Sequence, residues 1–108
     1  MNNFKNLFKI DVAKKINILF ENDKYIDERL LNAFNYIDNF CDEKCKNCNE
    51  ICFTCYERFS KQYNENIYIY EIYVDDVKYL LMIDNDDAQI LNDECTRNFI
   101  CDEFLLQN

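Results

Sequence analysis

The sequence predicts an α+β domain, with N-terminal helices packed on a C-terminal antiparallel β-hairpin or three-stranded sheet. Two observations predict it. Apolar residues recur at helical spacing through the first 60 or so positions, and then Ile, Tyr and Val crowd into two short runs separated by Asp75-Asp76. The chain has 108 residues, a length that supports one hydrophobic core, so residues 1–108 are read as a single domain.

The first helix is expected where Val12, Ile16, Leu19 and Phe20 recur, with Asp11 placed to cap its start. Phe4, Leu7 and Phe8 fit a short preceding turn, with a bend near Ile10. Asn22-Asp23 is a turn. After it Ile26, Leu30, Ala33, Phe34, Ile37 and Cys41 form a second helical stripe, with Asp27 and Glu28 in the first turn, where the helix dipole favours carboxylates. In the second half, a two-residue loop at Asp75-Asp76 pairs Val74 with Val77, Ile72 with Tyr79, Tyr70 with Leu81 and Tyr68 with Ile83. All eight are apolar, so that face belongs on the core. The opposite face, with Glu71, Tyr73 and Lys78 beside Ile67, Ile69, Leu80 and Met82, is only half polar and calls for a cover or a partner. Asp84 to Asp87 reads as a turn and Ala88 to Leu91 as a third strand. Cys95 to Leu106 fits a short helix and a strand equally.

Charge divides the chain. Residues 1–62 hold ten acidic and ten basic side chains, whereas residues 63–108 hold eleven acidic ones against Lys78 and Arg97 alone, so the whole net charge of −9 lies in the second half. The first part is therefore read as helical and neutral with a cysteine cluster, the second as β-rich and acidic.

Absent residue types restrict the chemistry. Without Gly there is no phosphate loop, dinucleotide fingerprint or nucleophile elbow, each of which needs a glycine where the backbone approaches a ligand or turns through positive φ. Without His there is no serine or cysteine nucleophile–histidine system and no zinc-protease helix. An acidic pair with lysine, built from Glu65 or Glu71 with Asp76 and Lys78, is spaced too closely for a nuclease, and its field repels nucleic acid. The expectation is a protein that is not an enzyme. The N-terminus lacks a signal-peptide pattern and no apolar run reaches a membrane span, which points to the cytoplasm of a microbe or of an infected host cell, and to no membrane partner.

Two features remain on which a function can rest. Cys41, Cys45, Cys48, Cys52 and Cys55 are spaced 4-3-4-3, and Cys45/Cys48 and Cys52/Cys55 form two CxxC pairs. Four thiolates supply a complete tetrahedral zinc site, with Cys41 a possible fifth candidate. The same spacing also continues the helical stripe from Leu30 to Phe59, which reads as reduced core cysteines. A helix from Lys24 to Gln62 would be about 58 Å long, so a break is expected at Lys46-Asn47-Cys48-Asn49. Cys95 and Cys101 are read as core residues.

The second feature is the acidic set Asp75, Asp76, Asp84, Asp86, Asp87, Asp93 and Glu94. Such a surface repels nucleic acid and attracts a protein partner with a basic cleft. In size, charge and lack of enzyme motifs the chain resembles small acidic phage proteins that imitate the phosphate array of DNA, among them inhibitors of restriction and CRISPR systems. The resemblance is one of composition and implies an inhibitor that occupies a nucleic-acid-binding cleft without touching nucleic acid itself. The alternative is a zinc-stabilised structural or regulatory adaptor that binds partners through the sheet face, with a homodimer through that face a further option.

Overall fold

In the computed structural model, which describes residues 4–61, 64–83 and 88–91, three helices cover one face of a five-stranded mixed sheet. The strands are β1 (Ile16–Leu19), β2 (Ile51–Ser60), β3 (Glu65–Val74), β4 (Val77–Ile83) and β5 (Ala88–Leu91), lying side by side in chain order. β1 runs parallel to β2 and the other neighbours are antiparallel. The helices are α1 (Ile10–Ala13), α2 (Glu28–Asn32) and α3 (Phe34–Cys45). Thus α+β holds, with a wider sheet than the predicted hairpin or three strands.

The expected helix over Val12 to Phe20 is replaced by the single turn α1 followed by β1. Ile16 and Ile18 face the core and Asn17 and Leu19 face away, an alternation that a helical spacing of four also accommodates over so short a stretch. Asp11 lies in the first turn of α1, which has no side-chain cap. The second stripe is helical but changes element at Ala33, between α2 and α3. Asp27 caps α2, its carboxylate accepting the Leu30 N–H at 2.9 Å. α3 ends at Cys45, in the place expected for a break, and the loop through Asn49 leads into β2. The cysteine stripe therefore does not continue as helix, and most of residues 51–62 is strand rather than helical. The longest dimension is 39 Å, shorter than the uninterrupted helix would have been.

The β3–β4 hairpin forms in the expected register, Val74 opposite Val77, Ile72 opposite Tyr79 and Tyr70 opposite Leu81, with Asp75-Asp76 as its turn. The described ladder ends there, two register positions short of Tyr68 and Ile83. With no glycine available, the left-handed backbone positions among the described residues fall to Asn64 (φ 53°) and Asp75 (φ 52°), residue types that tolerate them best after glycine. β5 occupies the predicted third strand.

The core lies between the helices and one sheet face. Ile16, Leu30, Ile37, Cys41, Ile51, Phe53 and Ile72 are completely buried in it. An aromatic cluster fills its centre. Phe53 packs on Phe20 at 5.0 Å between ring centroids, and Phe8 on Phe34 at 4.8 Å, both edge-on as ring quadrupoles prefer. Phe4 touches Phe8, Phe20, Phe34 and Phe53, so the N-terminal turn belongs to the core. α1 is tied to α3 where the Lys9 N–H donates to buried Asp38 at 3.2 Å and Lys9 Nζ donates to Asn39 at 2.7 Å.

Candidate functional site

The cysteines divide between two kinds of backbone. Cys41 and Cys45 are one helical turn apart on the buried face of α3, and Cys48 follows in the loop. These three lie close enough to act on one another electrostatically. On β2, side chains alternate. Ile51, Phe53 and Cys55 face the core, and Cys52, Thr54 and Tyr56 face the back of the sheet. Cys52 and Cys55 therefore point to opposite faces, and the set Cys45, Cys48, Cys52 and Cys55 is not gathered around one point. Among the described residues no group of three or more Cys, Asp or Glu side chains converges in a geometry that would hold a metal ion.

All five thiols are free. Burial pushes the Cys41 thiol up to about 12, with the charges of Asp38, Cys45 and Cys48 adding to it. Burial also pushes Cys55 up to about 12, against a hydrogen bond with Tyr70 that lowers it. Cys48 and Cys52 are raised as well, each chiefly by burial. Cys45 Sγ donates to the Asp42 carbonyl at 3.4 Å, and Cys52 Sγ donates to Glu50 Oε1 at 3.7 Å. Thiols raised in this way are poor nucleophiles at neutral pH, because the thiolate is the reactive form. Cys41, Cys45, Cys48 and Cys55 are packed in the same apolar cluster as Phe53 and Ile37, whereas Cys52 lies on the back of the sheet.

The loop between α3 and β2 is held from two sides. Lys15 Nζ donates to the carbonyls of Cys45 and Cys48, the latter at 3.0 Å, placing a cation at the negative end of α3. From the other side, Asp75 Oδ1 accepts the N–H groups of Asn49 at 2.9 Å and Glu50 at 3.1 Å, while the Asp75 N–H donates to the Glu50 carbonyl at 3.0 Å. Asp75 is exposed yet carries this internal load, whereas its neighbour Asp76 is exposed at the tip of the turn. A shallow cleft of about 350 Å³ opens here between Lys44 and Asn47 on one side and Asp75, Val77 and Tyr79 on the other. The remaining acidic candidates, Asp84, Asp86, Asp87, Asp93 and Glu94, lie outside the described residues, as do Cys95 and Cys101.

One polar cluster goes beyond the sequence reading. Glu71 is 5% exposed on the back face of β3, where it accepts the Tyr56 and Tyr73 hydroxyls, each at 3.3 Å, and pairs with Lys78 Nζ at 3.6 Å. Burial and the Glu71 charge push the Tyr56 hydroxyl up to about 12. The cluster satisfies its own hydrogen bonds, which is how a buried carboxylate is tolerated. The signal in the sequence is a single charge inside the run Ile67 to Val74. Of the acidic residues read with Asp76 and Lys78, Glu65 sits at the far end of β3 from the turn, whereas Glu71 does pair with Lys78.

No protein-family model, curated protein or solved structure matches this chain. Among the described residues, no helix is long and apolar enough to cross a membrane.

Proposed function

We propose that the chain is a non-catalytic protein-binding module whose acidic second half seats on the basic, nucleic-acid-binding cleft of a partner protein. The observation that carries this reading is the distribution of charge: the full −9 arises after residue 62. Lys78 is the one basic residue among the described positions of that half, and it is paired with Glu71, which leaves the acidic field with little local relief. A field of one sign attracts a complementary surface over roughly a Debye length, about 8 Å at physiological salt, and raises the rate of encounter.

The test is capture of nucleic-acid-binding proteins from the native host on the immobilised chain, followed by elution with duplex DNA. Replacing Asp84, Asp86 and Asp87 together by Asn is expected to weaken the captured interaction by roughly tenfold at 0.15 M salt. Binding that persists at 1 M salt and after charge reversal at those positions overturns the reading. The zinc-stabilised adaptor is the second reading, favoured by the proximity of Cys41, Cys45 and Cys48. It is separated by metal analysis: about one zinc per chain, with melting lowered by a chelator, supports the adaptor.

A further inference from the structure

The two edges of the sheet are finished differently. At the β5 edge, the Ile90 N–H donates to the Tyr36 hydroxyl of α3 at 3.1 Å. At the other edge, β1 covers only part of its neighbour. It pairs with Ile51 to Thr54, whereas β2 continues to Ser60. The Ile51 N–H points to the β1 side, donating to the Lys15 carbonyl at 3.0 Å, so by alternation the backbone groups of Glu57 and Phe59 face the same way, past the end of β1. Among the described residues no backbone group pairs with them there; the Glu57 carbonyl takes only the Arg58 guanidinium, at 3.0 Å. Phe59 is 51% exposed at this edge.

We propose that this open segment of β2 is a homodimer contact, in which a second copy pairs antiparallel across a two-fold axis at Phe59. An isologous contact must match itself, and this one does. With Phe59 opposite Phe59, and the pairing carried one residue past the end of β2 at Ser60, Glu57 of each copy falls opposite Lys61 of the other. Phe59 then exchanges both backbone hydrogen bonds with its counterpart, as directly opposed residues do in a hydrogen-bonded antiparallel pair. Charges on an edge ordinarily deter pairing. Here the spacing deters other strands and accepts a copy of the same one. Lys24, 2.7 Å from Glu57, adds a second cation beside the contact.

The experiment is sedimentation velocity on the full chain under reducing conditions across a concentration series. Wild type is expected to shift from monomer to dimer. Phe59→Pro removes only the outward N–H and leaves the β2–β3 ladder its donors, so it is expected to remain monomeric while keeping the wild-type circular dichroism spectrum. Glu57→Lys and Lys61→Glu are each expected to weaken dimerisation by severalfold, and the double exchange to restore it. A wild-type monomer throughout the series overturns the proposal. So does a folded Phe59→Pro variant that dimerises normally, or a double exchange no better than either single change.

Discussion

The two faces of the sheet are built from the same strands yet do opposite things. The face toward the helices is continuous and apolar: Ile51, Phe53, Tyr70, Ile72 and Leu81 meet the helices and the N-terminal turn in one cluster. The back face has two nearly buried apolar residues, Ile69 and Leu80, and in the row next to them the carboxylate of Glu71 with its two tyrosines and lysine. Tyr70 and Glu71 are sequence neighbours, and alternation alone sends one into the aromatic core and the other into a polar network. Identity is imposed by parity along the strand, not by which segment of chain is involved.

The largest way to break that contrast is to hollow out the core face. Phe53→Ala removes a fully buried ring that touches Phe4, Phe20 and Tyr70, and is expected to cost about 3–5 kcal/mol in chemical denaturation. Leu19→Ala, 57% exposed on the back of β1, is expected to change stability by no more than about 0.5 kcal/mol. Equal losses would show that the faces are not distinct. On the back face, Glu71→Ala takes the acceptor from two tyrosine hydroxyls and the partner from Lys78, and a loss of about 1–3 kcal/mol is expected. A neutral outcome would mean that the network satisfies rather than stabilises.

The turn that carries the chain from β3 to β4 comes next. Asp75→Ala loses two accepted N–H groups and places a Cβ without compensation at φ 52°, for an expected cost of about 1–2 kcal/mol, while Asp75→Asn retains most of the stability. The thiols contribute a pH dependence rather than a mutational loss. In the unfolded chain Cys41 and Cys55 ionise near 9, but in the folded chain near 12. Below pH 9 both states hold these protons. As pH rises from 9 to 12 the unfolded state loses them first, so stability is constant up to about pH 9 and then falls across that window. Melting under reducing conditions from pH 8 to 11 checks this, and a flat profile would refute it. Half-buried Cys52 on the back face is expected to alkylate before Cys41 and Cys55, which wait for unfolding.

The β3–β4 hairpin was legible because a dense run of Ile, Tyr and Val around an Asp-Asp turn specifies a local structure. The break after Cys45 was legible from length alone. β1 and β2 were not, for a shared reason. In Ile16 to Leu19, four residues cannot separate a period of two from one of 3.6, and the strand owes its existence to a partner far away in sequence. In β2, a cysteine spacing of three suggested one helical face. On a strand, that same spacing sends Cys52 and Cys55 to opposite sides, which is why the predicted four-thiol set is scattered. The alternation Ile51, Phe53, Cys55 was the available signal. The Glu71 network depends on β2 and β4 flanking β3, so a lone charge in a strand could mark it but not supply its partners.

The parallel pairing of β1 with β2 also bears on the order in which the chain assembles. Val74 meets Val77 across a two-residue turn, whereas Ile16 meets Ile51 across 35 positions and the whole of α2 and α3. Closing the longer loop costs more entropy before any contact repays it. The hairpin is therefore expected to gain protection from amide exchange early in refolding, and β1 to gain it last. Until it does, the edge of β2 is open along its full length, and the nascent chain is most exposed to pairing with the wrong strand.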